Sequence, residues 1–409
     1  MKFNTRLLHG VLTHDEKTGA TSTPIFQSSA FKYDTAEDLE ATFKGNKFGF
    51  LYSRMNNPTV DAFERKIADL EKGIGAIACA SGMAAITLAI LNLVKAGEEI
   101  VAGSGLFGGT YSLFSNLEDY GVKAKYAMDN NIESYEALIN EKTRAIFIET
   151  IGNPKLDVPD IEKLSKLAHK NGIPLVVDNT ITTPYLVRPF ELGADIVIHS
   201  SSKYINGSGN SISGIIVDSG KTKWDYEKFS TLKNYKKYGK FVYLAKLRKG
   251  IFKDFGSCLS PFNAYLNLLG VETLGLRMER ICDNTLKLTK FLAKNEKVMN
   301  VNYSGLEDNP YHEISKKQFS NKYGGVFTLR LGTKEKAFKL INNLKYAANL
   351  ANIGDTRTLV IHPMSTIYSF NDEKEIESAG VFDDLIRVSV GIEDIEDLIE
   401  DFQQALDKI

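Results

Sequence analysis

The sequence predicts an α/β protein: a mostly parallel sheet with helices on both faces, followed by a smaller α/β domain. Two observations carry this. Between about residues 60 and 220, short apolar runs of strand length alternate with stretches of helical period. The chain, at 409 residues, is also too long for one ordinary core, and the alternation resumes after an interruption near residues 220–256.

The elements follow in order. The first fifty or so residues show little periodicity and read as an arm that packs on something else. TVDAFERKIADLEKG then sets Val60, Phe63, Ile67 and Leu70 on one helical stripe, with Gly73 where a helix-ending glycine belongs. The runs GAIACA, EEIVAG, VKAKYAM, TRAIFIET, IPLVVDNT, ADIVIH and SGIIVD read as strands, with helices such as IEKLSKLAHKNG between several of them. Residues 220–256 are basic and aromatic. Beyond them RMERICDNTLKLTKFLAKN reads as a helix, and GGVFTLRL, TLVIHP, LIRVSVG and IEDLIEDFQQALDKI describe the second α/β unit. The expected division is an arm over residues 1–58, a large domain over 59–256 and a C-terminal domain over 257–409.

Composition narrows the function. Hydrophobic content of 43%, charged content of 25% and a net charge of −1 describe an ordinary globular protein with no general attraction to nucleic acid or anionic membrane. No run approaches transmembrane length, and the N-terminal stretch lacks the apolar core of a signal peptide. Cys79, Cys258 and Cys282 are far apart and odd in number, without metal-ligand spacing; they suit a reducing cytoplasm. A catalytic metal is not expected.

In open α/β sheets ligands bind beyond the C-terminal ends of the strands, and four stretches fall there. SGMAAITLAILNLVKAG follows GAIACA: Ser81 or Gly82 opens a buried helix whose free N–H groups and dipole favour an anion such as phosphate. Asp178 closes an apolar strand, where an unpaired carboxylate is costly. Lys203 follows ADIVIH with Ser200 and Ser202 beside it. A lysine in a partly desolvated pocket has a lowered pKa and can form a Schiff base. Alone, each has a plainer reading: a helix cap, a turn cap, a surface lysine. The fourth stretch, Gly103, Gly105 and Gly108, spells G-x-G-x-x-G after a strand, with Asp129 loosely placed as the acidic residue of a nicotinamide site. It leaves Lys203 and Asp178 unexplained. Together, the phosphate-ready helix, the strand-end acid and the strand-end lysine suit pyridoxal 5'-phosphate, with Lys203 as tether and Asp178 pairing the ring nitrogen.

The stretches YSRMNNPT, SGMAA, FGGTY, ETIGNP, VVDNT, SSSKY with its following GSG, SPFNAYLNLLGVETLGLRM, NIGDTRTLVIHP and IRVSVGIE, in this order, resemble the cystathionine γ-synthase-like enzymes of Cys/Met metabolism over nearly the whole chain. Within that family the resemblance is greatest to the O-acetylhomoserine sulfhydrylases. It implies the aspartate aminotransferase-like fold type I, with a seven-stranded sheet in the large domain. It also implies that Lys203 is the Schiff-base lysine and proton carrier, and that Asp178 binds the pyridinium. Gly82, Met83, Ser200 and Ser202 would hold the phosphate, and Phe107 would stack on the ring. Tyr52 and Arg54 would reach a neighbouring subunit's phosphate from the arm, in a homotetramer built as a dimer of dimers. Arg387 would grip the substrate carboxylate, with Asn153, Tyr52 and Asn352 also at the substrate.

Departures from the family pattern bear on the reaction. Phe107 stands where the family usually carries tyrosine, and it can stack but cannot act as acid or base. Acetate, from an acid of pKa roughly 4, leaves without help, whereas a thiol of pKa about 8.5 gains from protonation. That favours an activated homoserine ester over the thiol expelled by methionine γ-lyase, one rival of the same family; cystathionine γ-synthase, with cysteine as the nucleophile, is the other. Ser208 also stands where histidine is usual, and HPMSTIY replaces a threonine–histidine ending. The expected reaction joins O-acetylhomoserine and sulfide into homocysteine and acetate. Remoter readings are a nicotinamide-dependent oxidoreductase and a nucleic-acid binder using the lysines and aromatics of 221–241.

Overall fold

A computed structural model describes residues 1–11, 15, 18–369, 376 and 379–409. Each run read as a strand in the first unit forms one: β1 (Gly75–Cys79), β2 (Glu99–Ala102), β3 (Lys123–Tyr126), β4 (Thr143–Glu149), β5 (Leu175–Asp178), β6 (Ile196–His199) and β7 (Gly214–Asp218). They make one sheet in the order β1-β7-β6-β5-β4-β2-β3. Only β7 runs against its neighbours. Central strands β5, β6 and β7 are buried along their whole length, which is why they read as continuous apolar runs rather than alternating ones.

Ahead of this sheet lie α1 (Phe3–His9), α2 (Ala36–Lys44) and α3 (Pro58–Glu71). Helix α1 is docked on the body, with Leu7 fully buried and its carbonyl taking a hydrogen bond from Lys66. Between the two, Ile25, Phe26, Phe43, Phe48 and Tyr52 are exposed. The end of α3 differs from the sequence expectation. Lys72, not Gly73, adopts the left-handed conformation (φ 62°) that closes the helix. Gly73 is needed for packing: a Cβ there would lie 2.4 Å from Val217 on β7.

Two helices of the first unit start at strand ends: α4 (Gly82–Leu91) after β1 and α5 (Gly108–Glu118) after β2. The second sheet, β10-β11-β12-β9-β8, joins β8 (Asn300–Asn302), β9 (Val326–Arg330), β10 (Ala348–Asn349), β11 (Leu359–Ile361) and β12 (Leu385–Ser389). The helix Leu274–Leu292 joins the halves. Its Met278, Ile281 and Cys282 sit in the first core, and Leu288 and Leu292 in the second. Leu259, Ala264 and Val271 also pack into the first core.

The basic, aromatic stretch after β7 packs on the large body. Trp224 stacks on Tyr243 at 5.9 Å and meets Phe229 edge-on. Phe229 and Tyr243 belong to the first core, so these aromatics cover the sheet's flank rather than the strand-end cavity described next.

Candidate active site

A cavity of about 270 Å³ opens at the C-terminal ends of β4, β5 and β6, between the two sheets. Gly82, Met83, Phe107, Asn153, Asp178, Ser200, Ser202, Lys203, Asn352 and Arg387 all line it. Tyr52 and Arg54 do not. Tyr52 is 45% exposed on the arm, and the Arg54 guanidinium, beside the Tyr52 ring, donates to the Lys253 carbonyl at 2.5 Å.

Strand burial places the chemistry. The apolar stretch of β5 carries Asp178 inward until it is 8% exposed. Its Oδ1 accepts the Thr180 N–H at 2.9 Å, and no lysine or arginine pairs with it among the described residues. Burial pushes its carboxyl above the usual range. A carboxylate so placed fits a cationic ring nitrogen that the protein itself does not supply. Lys203 follows β6 in a turn, and its ammonium donates to Asn352 Oδ1 at 2.5 Å. Burial, with the Arg387 charge nearby, lowers its pKa to about 8, so a neutral amine is accessible near physiological pH.

Helix α4 points its N-terminus at the same space. Ser81 caps it by accepting the Ala84 N–H at 3.0 Å, leaving the first N–H groups without intrahelical partners. A Cβ on Gly82 would lie 2.6 Å from Ser200 Cβ, so only glycine lets the helix start approach the β6 turn this closely. The Ser200 hydroxyl has no hydrogen-bond partner among the described residues, whereas Ser202 donates to the Ser213 carbonyl at 3.0 Å and accepts its N–H at 2.8 Å. Of the two serines, Ser200 is thus the one ready to donate to an anion.

Arg387, on β12, forms the opposite wall. It is 4% exposed and donates to Asn153 Oδ1 at 3.0 Å and to the Asn352 carbonyl at 3.2 Å. Burial lowers its pKa to about 10, which leaves it charged at neutral pH. A buried guanidinium held by neutral partners, with no carboxylate paired to it among the described residues, suits a carboxylate ligand. Phe107 precedes α5. A Cβ on Gly109 would lie 2.5 Å from the Phe107 ring, so Gly109 leaves room for the ring to lie back against the helix start. The G-x-G-x-x-G turn serves a different purpose from a pyrophosphate cradle. A Cβ on Gly105 would fall 1.7 Å from the Asp157 carboxylate, so an acidic side chain already occupies that concavity.

Glu149 was missed in the sequence. It closes β4 directly beside Asp178 and lines the cavity. The signal was available, since TRAIFIE ends on a carboxylate just as IPLVVD does.

The model of the Cys/Met metabolism PLP-dependent enzyme family matches residues 4–407. The chain belongs to that family. It is therefore a pyridoxal-phosphate protein of fold type I, and the lysine, acid, helix start and free serine of the cavity fit the cofactor. It is 42% identical to the O-acetyl-L-homoserine sulfhydrylase of Corynebacterium glutamicum, over 98% of this chain and 96% of that one. It is 43% identical to the homocysteine/cysteine synthase of Saccharomyces cerevisiae, over 97% and 95%. Among solved structures, one from Campylobacter jejuni, described as an O-acetylhomoserine (thiol)-lyase and carrying a pyridoxyl-lysine monophosphate, superposes with a TM-score of 0.95. The two are 32% identical, and each chain is covered completely. A cystathionine gamma-lyase from Lactobacillus plantarum superposes at 0.88 with 31% identity, over 100% of this chain and 99% of that one.

Proposed function

We propose that this family member is an O-acetylhomoserine sulfhydrylase, joining O-acetylhomoserine and sulfide into homocysteine and acetate. One observation carries the reading: a lysine of lowered pKa, and a buried acid and a buried arginine that have no opposite charge paired to them among the described residues, share a single cavity. Relatives of that activity span the full chain.

Bound pyridoxal phosphate supplies an electron sink for negative charge developing beside the substrate's α-carbon. The protein's residues do the rest. Lys203 would tether the cofactor, and its freed Nζ would take the substrate's Cα proton and carry protons towards Cβ. Asp178 holds the ring nitrogen's charge. Gly82, Met83 and Ser200 hold the phosphate, joined by Ser202 if its hydroxyl leaves the Ser213 carbonyl. Arg387 grips the substrate carboxylate with Asn153 beside it, and Asn352 positions Lys203 Nζ. Phe107 covers the ring without offering a proton, which suffices for a leaving group as weakly basic as acetate.

The arm, residues 1–58, reaches a neighbouring subunit with the part beyond its docked helix α1, and there Tyr52 and Arg54 complete the phosphate site and Tyr52 meets substrate. Exposed Ile25, Phe26, Phe43 and Phe48 support that interface, in a homotetramer arranged as a dimer of dimers. Residues 59–256 form the cofactor domain and 257–409 the C-terminal domain, whose first stretch, to Cys282, packs back on the core of the former. Three free cysteines, and no helix long and apolar enough to cross a membrane among the described residues, accord with a cytoplasmic enzyme.

A product assay on protein supplied with pyridoxal phosphate and O-acetylhomoserine tests the reading. Homocysteine is expected only with sulfide. 2-Oxobutyrate at equal rates with and without sulfide would make the protein a lyase.

A further inference from the structure

Glu149 and Asp178 are Cα partners at the ends of the parallel strands β4 and β5, and both carboxyl groups face one cavity. Two carboxylates so placed, away from bulk water, do not both ionise without a compensating cation. The cavity's cations are committed elsewhere: Lys203 donates to Asn352, and Arg387 donates to Asn153 and the Asn352 carbonyl. Asp157, on the loop after β4, also acts to raise the Glu149 carboxyl, while His199 on β6 acts to lower that of Asp178. Glu149 is not idle. Its Oε1 accepts the Phe107 N–H at 2.7 Å, at the residue whose ring faces the cavity.

We propose that Glu149 keeps its proton at neutral pH, leaving Asp178 as the one carboxylate facing the cofactor's ring nitrogen, and acts as a neutral positioning residue that fixes Phe107. Burial and the Asp178 charge both raise the Glu149 carboxyl well above the ordinary range, as this division requires. A neutral carboxyl still accepts the Phe107 N–H through its carbonyl oxygen. It adds no second negative charge that would raise the proton affinity of the lysine–cofactor linkage. The inference rests on the cofactor reading only for the role of Asp178.

Two variants separate charge from hydrogen bond. Glu149→Gln keeps the acceptor and is always neutral; Glu149→Met fills similar volume and offers no comparable acceptor. The pH titration of the resting holoenzyme's visible absorption is expected to match wild type within about 0.3 pH unit in both. Cofactor retention on dialysis is expected to be unchanged in Glu149→Gln and about tenfold weaker in Glu149→Met, the weight of one hydrogen bond. A shift of about one pH unit or more in Glu149→Gln would show that Glu149 carries charge, and would overturn the proposal. Cofactor-free protein gives an independent readout. The infrared difference between wild type and Glu149→Gln at pH 7 should show the carbonyl stretch of one protonated carboxyl lost in the variant, and a difference spectrum without that loss would overturn the proposal as well. Protein that takes up no pyridoxal phosphate would sink the cofactor reading, while this band still reports on Glu149.

Discussion

Lys203 and Asn352, 149 positions apart, meet at 2.5 Å: the ammonium from the turn after β6 donates to an amide oxygen from the loop between β10 and β11. The loop of the second sheet therefore reaches across the cavity and holds the lysine nitrogen that follows the first. The Asn352 carbonyl also accepts from Arg387. Lys203 and Arg387 are thus set by one residue.

Lys203 must be neutral to attack an aldehyde, and its pKa lies near 8 rather than at the ordinary lysine value. Because deprotonation generates the reactive form, the rate of covalent cofactor uptake should rise with pH and level off above about 8. Stopped-flow absorbance after mixing cofactor-free protein with pyridoxal phosphate measures it. Lys203→Ala should form no covalent adduct at any pH.

Gly82→Ala places a methyl 2.6 Å from Ser200 Cβ and 3.0 Å from its Cα. Backbone must give way at the proposed phosphate cradle, at roughly 1–3 kcal/mol of overpacking. The expected outcome is a folded protein binding pyridoxal phosphate at least about tenfold more weakly, since 1.4 kcal/mol is a factor of ten. Fluorescence titration of cofactor-free protein checks this.

Arg387→Lys keeps the charge and loses the fork that spans Asn153 and Asn352. Loss of one charged hydrogen bond, about 1.5–3 kcal/mol, should raise KM for the amino-acid substrate roughly 10- to 100-fold. KM for sulfide should change far less. Steady-state kinetics varying each substrate in turn separates the two.

Phe107→Tyr adds a hydroxyl to a ring that is 37% exposed at the cavity, so it needs no core space. With an acid available, expulsion of a thiol becomes easier. Release of 2-oxobutyrate from homocysteine or methionine should rise relative to homocysteine synthesis, as a coupled assay would show. An unchanged ratio would mean that Phe107 does not set the reaction type.

The site's first domain is legible in sequence for a simple reason. Strands buried on both faces are apolar throughout, so a polar residue that ends one, such as Asp178, or a lysine just past one, such as Lys203, stands out against its own run. Glu149 obeys the same rule and was still passed over, because nothing local says that β4 lies beside β5. The C-terminal glycine of α3 shows the opposite limit. Local propensity assigned Gly73 to a helix end, whereas contact with Val217, far along the chain, is what demands it.

By itself the sequence determined the alternation of strands and helices, the strand-end residues and the cofactor, since burial and helix ends leave marks within a few residues. Only the tertiary structure decided which carboxylates are neighbours, which serine is free, and that Asn352 holds both Lys203 and Arg387. Those facts depend on strand order and on packing between distant segments, and the free energy of such contacts is written in no short stretch of chain.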